Sequence, residues 1–211
     1  MRLNSILLTL TLSTLATAAV LNERATYKNC DGSEGEKVKA AVVKAGKMAA
    51  KAASSIRSKQ ATSLFKTFFK TTDSASTSQV ADVMEQIAQE ASQYGRGKVS
   101  YSCQPDSISC QSGGMFSQTG YATTDGVTGE VHTCPAYFDL PPASHECSAL
   151  DQQTSSLHEL AHTKGVLGFE VYGYSSIMGL DSSTALKNAE SYAFFAKCEF
   201  FFYLFGVERR S

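Results

Sequence analysis

His158-Glu159-Leu160-Ala161-His162 brings two imidazoles and a carboxylate into five residues. On a helix, residues four apart rise about 6 Å and return to nearly the same side, so both rings can reach one metal ion. Glu159, beside the first histidine, can then face a water on that ion. Zinc lowers the pKa of such a water toward about 7, and the carboxylate takes its proton as the water attacks a peptide carbonyl. The alternative is a chance match on a partly exposed helix. With four histidines in the whole chain, coincidence explains the spacing poorly. Two histidines still leave a catalytic zinc one protein ligand short.

The helix that must carry this motif is read over residues 150–163, between the break at Pro141-Pro142 and Gly165. Three helices are predicted before it. Over residues 36–58, Val38, Ala41, Val42, Ala45, Met48, Ala49, Ala52 and Ile56 fall at three- and four-residue steps. Lys37, Lys39, Lys44, Lys47 and Lys51 lie largely off that stripe. A basic amphipathic helix can act on membranes, but the alanine-rich apolar side argues for a core helix with a solvated lysine face. The second helix covers 61–70, with Leu64, Phe65, Phe68 and Phe69 buried, and the third 78–94, stopping at Gly95. From residue 98 to 139, Gly, Ser and Thr are frequent. There Val99-Ser100-Tyr101 and Met115-Phe116 suggest small antiparallel strands. A last helix is read over 183–197. The fold class that follows is mainly α with a small antiparallel β portion (α+β).

A chain of 211 residues, 43% hydrophobic, can bury one substantial core. Its net charge of −1, from 19 basic and 20 acidic side chains, gives no reason to expect nucleic acid or an anionic membrane as partner. Six cysteines suit an oxidising compartment. Arg2 precedes an apolar run from Ile6 to Ala19 that ends in small residues, the pattern of a secretory signal. The expected organisation is a signal peptide at 1–19, a short pro-segment at 20–24 and a single domain at 25–211. The product is expected to be secreted, extracellular and monomeric, with no membrane span. Near the C-terminus, residues 199–205 carry five aromatics, which either pack on the domain or form an exposed apolar patch.

Around the zinc motif the chain resembles the deuterolysin (aspzincin) family of secreted fungal zinc endopeptidases. The similarity runs from about Ala25 to Cys198. It includes Phe69-Lys70-Thr71-Thr72-Asp73, Leu140-Pro141-Pro142, Leu157-His158-Glu159, Tyr172-Gly173-Tyr174 and Asn188-Ala189-Glu190-Ser191-Tyr192-Ala193. The cysteine spacing fits as well. The resemblance implies a zincin-like metalloprotease domain with three disulfides, Cys30–Cys103, Cys110–Cys134 and Cys147–Cys198. The family completes its metal site with an aspartate three residues before a Tyr-Gly pair. Counting back from Tyr172 gives Phe169, and the nearest carboxylate is Glu170, one step on. Glutamate is a competent zinc ligand, and its extra methylene compensates for a displaced backbone. The other reading is that Glu170 is merely solvated.

A family aspartate that supports the metal corresponds to Glu190, expected either to accept the free N–H of a ligating histidine or to become a ligand itself. Asp181 is a further carboxylate with no motif behind it. Tyr172 matches the family tyrosine whose hydroxyl steadies the oxyanion. Ser176-Ile177-Met178 resembles the methionine turn of metzincins, but their third histidine would fall at Gly168, so Met178 is read as core. His132 and His145 have no metal spacing and are read as structural or exposed. The favoured function is a zinc metalloendopeptidase acting on protein or peptide substrates. It would hold one Zn2+ per chain on His158, His162 and Glu170, with Glu159 as general base and Tyr172 on the oxyanion. The rival is a catalytically weakened relative acting as a secreted binding protein or effector.

Overall fold

The computed structural model describes residues 27–93, 97–103, 110 and 118–206. The signal and pro-segment, the strand read at Met115-Phe116 and the stop at Gly95 lie outside the described residues. The first helix, α1 (Gly32–Arg57), starts four residues earlier than its apolar stripe alone indicates, and every residue named for that stripe is buried. Its apolar side is therefore core, and the lysines project from the other side or its margins. The second, α2 (Thr62–Phe69), ends at Lys70 in the left-handed region, and α3 (Ser74–Ser92) begins at Asp73. The Asp73 carboxylate accepts the Ser76 backbone N–H at 2.9 Å, a side-chain cap that starts α3 four residues ahead of the predicted position. Gly46 of α1 faces Ala91 of α3 so closely that a Cβ there would come within 2.5 Å of the Ala91 methyl. Only glycine allows that approach of the two helices.

The small β portion is a four-stranded sheet in the order β1-β2-β4-β3, made of Tyr27–Lys28, Val99–Ser102, Gly129–Thr133 and Gly120–Thr124 respectively. It is mixed rather than purely antiparallel. The β1–β2 and β2–β4 pairs run parallel, and the β3–β4 hairpin alone is antiparallel. A parallel pair needs a long crossover, and for β1 and β2 that crossover is the whole α1–α3 unit. The hairpin turns at Asp125, whose Oδ1 accepts the N–H groups of Val127 and Thr128, with Gly126 at φ +87°. Pairing on β4 leaves β3 at the edge of the sheet among the described residues.

After α4 (Pro135–Phe138) comes the central helix α5 (Gln152–His162), in contact with α1, α3, α8 and β3. The helix predicted over 183–197 is two helices, α7 (Ser182–Ala185) and α8 (Ala189–Phe205), preceded by α6 (Tyr174–Ile177). The break falls at Asn188. Its side chain exchanges two hydrogen bonds of 3.1 Å with the backbone of Val171, which pins the preceding loop to the start of α8. Phe65, Phe68 and Phe69 of α2 meet Tyr192 and Phe195 of α8 in edge-to-face contacts, forming the aromatic part of the core. All three disulfides join the cysteines that the resemblance pairs. The aromatic tail continues α8: Phe200 and Phe202 pack against the core, whereas Tyr203, Leu204 and Phe205 are exposed. No helix among the described residues is long and apolar enough to cross a membrane.

Candidate metal centre

The sequence Asp151-Gln152-Gln153-Thr154 fixes where α5 begins. Asp151 Oδ1 accepts the backbone N–H and the hydroxyl of Thr154, and Oδ2 accepts the Ser144 N–H and pairs with the Lys197 ammonium at 2.8 Å. Both members of that pair are buried. The start of α5 is thus tied to α8 by charge, and the Cys147–Cys198 disulfide makes the same connection covalently. From this anchored end, one and a half turns bring His158 and Glu159 to the wall of a cleft, and His162 follows one turn later.

The two imidazoles face one another. Their Nε2 atoms are 3.2 Å apart, and on each ring Nδ1 is engaged elsewhere. His162 Nδ1 donates to the Val166 carbonyl at 2.8 Å, a partner that can only accept. His158 Nδ1 donates to Glu190 Oε2 at 2.8 Å, and Glu190 Oε1 accepts the Gly173 N–H at 3.0 Å. Each neutral ring therefore turns the lone pair of Nε2 toward the other. Two lone pairs at that distance repel unless a proton or a cation lies between them. The ionisation of the rings shows the same demand. Burial disfavours a charge on His158, but the Glu190 hydrogen bond and the neighbouring carboxylates outweigh it and lift the ring to about 9. Burial, then the His158 charge, push His162 down to about 4. The two rings therefore share one proton rather than each carrying its own.

Three carboxylates surround this pair. Glu159 is 6% exposed, and burial raises it to about 7, with His158 opposing and Glu170 and Glu190 adding to the shift. It lies against Gly120 of β3, where a Cβ would sit 3.3 Å from its Cγ and Oε1 and 2.9 Å from the His132 carbonyl oxygen. A glycine in a strand signals such a close approach, and no sequence motif marks Gly120. Glu170 caps α8: its Oε1 accepts the Ala189 N–H at 3.2 Å, while Oε2 is buried with no hydrogen-bond partner. Burial raises the Glu170 carboxyl, and the charge on His158 opposes the shift. The donor atoms that lie mutually within 4.8 Å among the described residues belong to His158, Glu159 and His162, and Glu170 is outside that group. Glu190 stands behind His158 rather than beside Nε2.

Tyr172 lies over His158, with ring centroids 5.8 Å apart and planes 24° from parallel, and is 63% exposed at the mouth of the cleft. Asp181 is remote from this chemistry; it caps α7 by accepting the Thr184 N–H. Met178 packs against the core, as read. His132 stacks on Tyr121, and His145 is exposed against Phe205. The cleft encloses about 540 Å³, within the usual range for a ligand site. The edge strand β3 forms one of its sides.

The aspzincin M35 family model, described as "Lysine-specific metallo-endopeptidase", matches residues 54–197, which include every residue of the centre. Neutral protease 2 of Aspergillus oryzae is 33% identical over 83% of this chain and 49% of its own length. A neutral protease 2 homolog of Aspergillus flavus is 33% identical over 83% of this chain and 61% of its own. One from Aspergillus fumigatus is 35% identical over 80% and 46% respectively. This chain thus spans about half the length of the curated relatives it matches. The structure titled "Zinc peptidase from Grifola frondosa" superposes with a TM-score of 0.64 at 20% identity, covering 80% of this chain and 96% of that one. That likeness is one of fold.

Proposed function

We propose, from the premise that this chain belongs to the aspzincin M35 family, that it is a secreted zinc-dependent endopeptidase. The observation that carries the reading is the pair of facing Nε2 lone pairs, with both Nδ1 atoms committed as donors. Nitrogen donors of neutral imidazole suit zinc, and two on successive turns of one helix supply half of a tetrahedral shell. Glu170, whose buried Oε2 has no hydrogen-bond partner, would serve as the third protein donor only by moving toward the two rings, because it lies outside the group of donor atoms within 4.8 Å of one another. Glu190 fits the supporting role, because both its oxygens already hold N–H groups. Three disulfides accord with an extracellular site of action.

Zinc bound there would supply Lewis acidity, acidifying water and polarising the peptide carbonyl. The remaining work belongs to the chain. Glu159, with a carboxyl near neutrality, takes a proton from the attacking water and returns it to the departing amine. Glu190 holds His158 in the tautomer that presents Nε2. The Tyr172 hydroxyl, at the cleft mouth, donates to the oxyanion. The edge of β3, unpaired among the described residues, would offer backbone groups to an extended substrate.

The test is metal content and casein cleavage together. Purified protein should carry about one zinc per chain and lose proteolysis on chelation. Glu159→Gln should keep the metal and lose cleavage. Protein that neither carries nor accepts zinc refutes the proposal and leaves the reading as a secreted binding protein.

A further inference from the structure

The net charge of −1 conceals an uneven distribution. Between Glu36 and Asp73 the chain holds eight lysines and Arg57 and no acidic residue. Arg57 is neutralised by Asp82 and Glu85, and Lys39 pairs with Glu36. Lys37, Lys44, Lys47 and Lys51 follow at steps of seven, three and four, and so form one row on α1 outside its core stripe. Lys44 and Lys47 are exposed, and among the described residues neither they nor Lys51 has an ion-pair partner. The row ends at the tip of α8, where the Lys51 ammonium lies 4.4 Å over the Tyr203 ring. From Phe200 to Phe205 that helix carries no charge and is apolar on every side. Phe200 and Phe202 turn onto the core, Phe201 packs on Phe205 at 4.7 Å, and Tyr203, Leu204 and Phe205 are each more than half exposed. A helical turn that is apolar all round has no side suited to water. His145 borders Phe205 at 6.2 Å, and Glu146, next to it in sequence, is outnumbered by the lysines. An apolar tip beside a row of unpaired ammonium groups complements a surface that is apolar within and negatively charged at its face. Tyrosine settles at head-group level, and lysine stems lie along apolar surface while their charges reach phosphates. A second copy of the chain fits less well. Stable dimers use about 20–30 residues a side, and an isologous contact through the tip would bring two lysine rows together.

We infer that the tip of α8 and the lysine row of α1 together form a docking surface for an anionic lipid bilayer, holding the protein on a membrane without crossing it. Neither element suffices alone, since the apolar side of α1 is spent on the core and the tip of α8 has no charge. The test is co-sedimentation of protein purified from the medium of a secreting host with vesicles. One set is phosphatidylcholine alone, and the other is equal parts phosphatidylcholine and phosphatidylglycerol. Partitioning onto the anionic set is expected to be at least about 10-fold stronger and to weaken as salt rises. Lys44→Gln with Lys47→Gln should lower it roughly 20-fold, and Leu204→Ser with Phe205→Ser about 10-fold or more. All four side chains are exposed, and circular dichroism establishes that each double variant is folded. Equal partitioning onto both vesicle sets overturns the inference. So does parental partitioning by either folded variant. A dimer in sedimentation velocity that Leu204→Ser with Phe205→Ser abolishes would assign the tip to a second copy and likewise overturn it.

Discussion

Glu190→Gln isolates the part of the centre that sequence motifs do not show. The carboxylate accepts two N–H groups, from His158 Nδ1 at 2.8 Å and from Gly173 at 3.0 Å. Glutamine keeps the size but offers one acceptor and one donor to the same two donors. If its NH2 faces Gly173, a buried N–H is left unpaired, which costs about 1–3 kcal/mol of folding stability. If its NH2 faces His158, the ring must accept at Nδ1 and carry its hydrogen on Nε2, where it can no longer bind metal. In both arrangements the negative charge that makes Nε2 a stronger donor is gone. Losing such a partner weakens metal binding about 10–100-fold, or roughly 1.4–2.8 kcal/mol. Competition against a chromophoric chelator measures the zinc Kd, and far-UV circular dichroism of the metal-free variant establishes that it is folded. A folded Glu190→Gln protein whose zinc Kd lies within twofold of the parent would refute the argument that Glu190 sets the His158 tautomer.

Tyr172→Phe keeps the ring over His158 and removes the hydroxyl; zinc content should be unchanged while kcat falls about 100-fold or more, read by peptide hydrolysis. Gly120→Ala places a methyl against the His132 carbonyl and Glu159; cleavage should drop at least about 10-fold with zinc retained, and parental kcat/KM would remove Glu159 from its assigned position. Lys197→Met strands the buried Asp151 carboxylate and should cost about 3–5 kcal/mol in denaturant unfolding. Asp73 is held down to about 2 by the hydrogen bonds from the Ser76 N–H and the Thr71 and Ser76 hydroxyls. A depressed carboxyl stabilises the fold above its unfolded value of 3.8 and loses that contribution as pH falls through about 2. The melting-temperature gap between the parent and Asp73→Asn should therefore close between pH 4 and pH 2, and a constant gap would show that the charge is not responsible.

The helices were legible because their apolar stripes are long and regular, and α1 buries every residue that its periodicity selects. The motif histidines were legible because a four-residue step has one geometric outcome on a helix. The split between α7 and α8 was not, since the Asn188 clamp on Val171 joins residues 17 apart and leaves no local periodic trace. Strand direction was hidden for a related reason. Alternation reports that a segment is a strand, whereas the parallel pairing of β1 with β2 is decided by three intervening helices. Glu190 was found through resemblance and Gly120 was missed, although both touch motif residues. The capping role of Glu170 could not be foreseen, because it depends on where α8 begins.

The order of residues along the chain gives the tie between α5 and α8 a temporal meaning. During synthesis both motif histidines leave the ribosome before Glu190 and Cys198 exist. Until those residues emerge, His158 Nδ1 lacks its carboxylate acceptor, and the start of α5 has neither its charge partner nor its crosslink. The His158–Glu190 pair and the Cys147–Cys198 crosslink are therefore completed late, once nearly the whole chain has emerged.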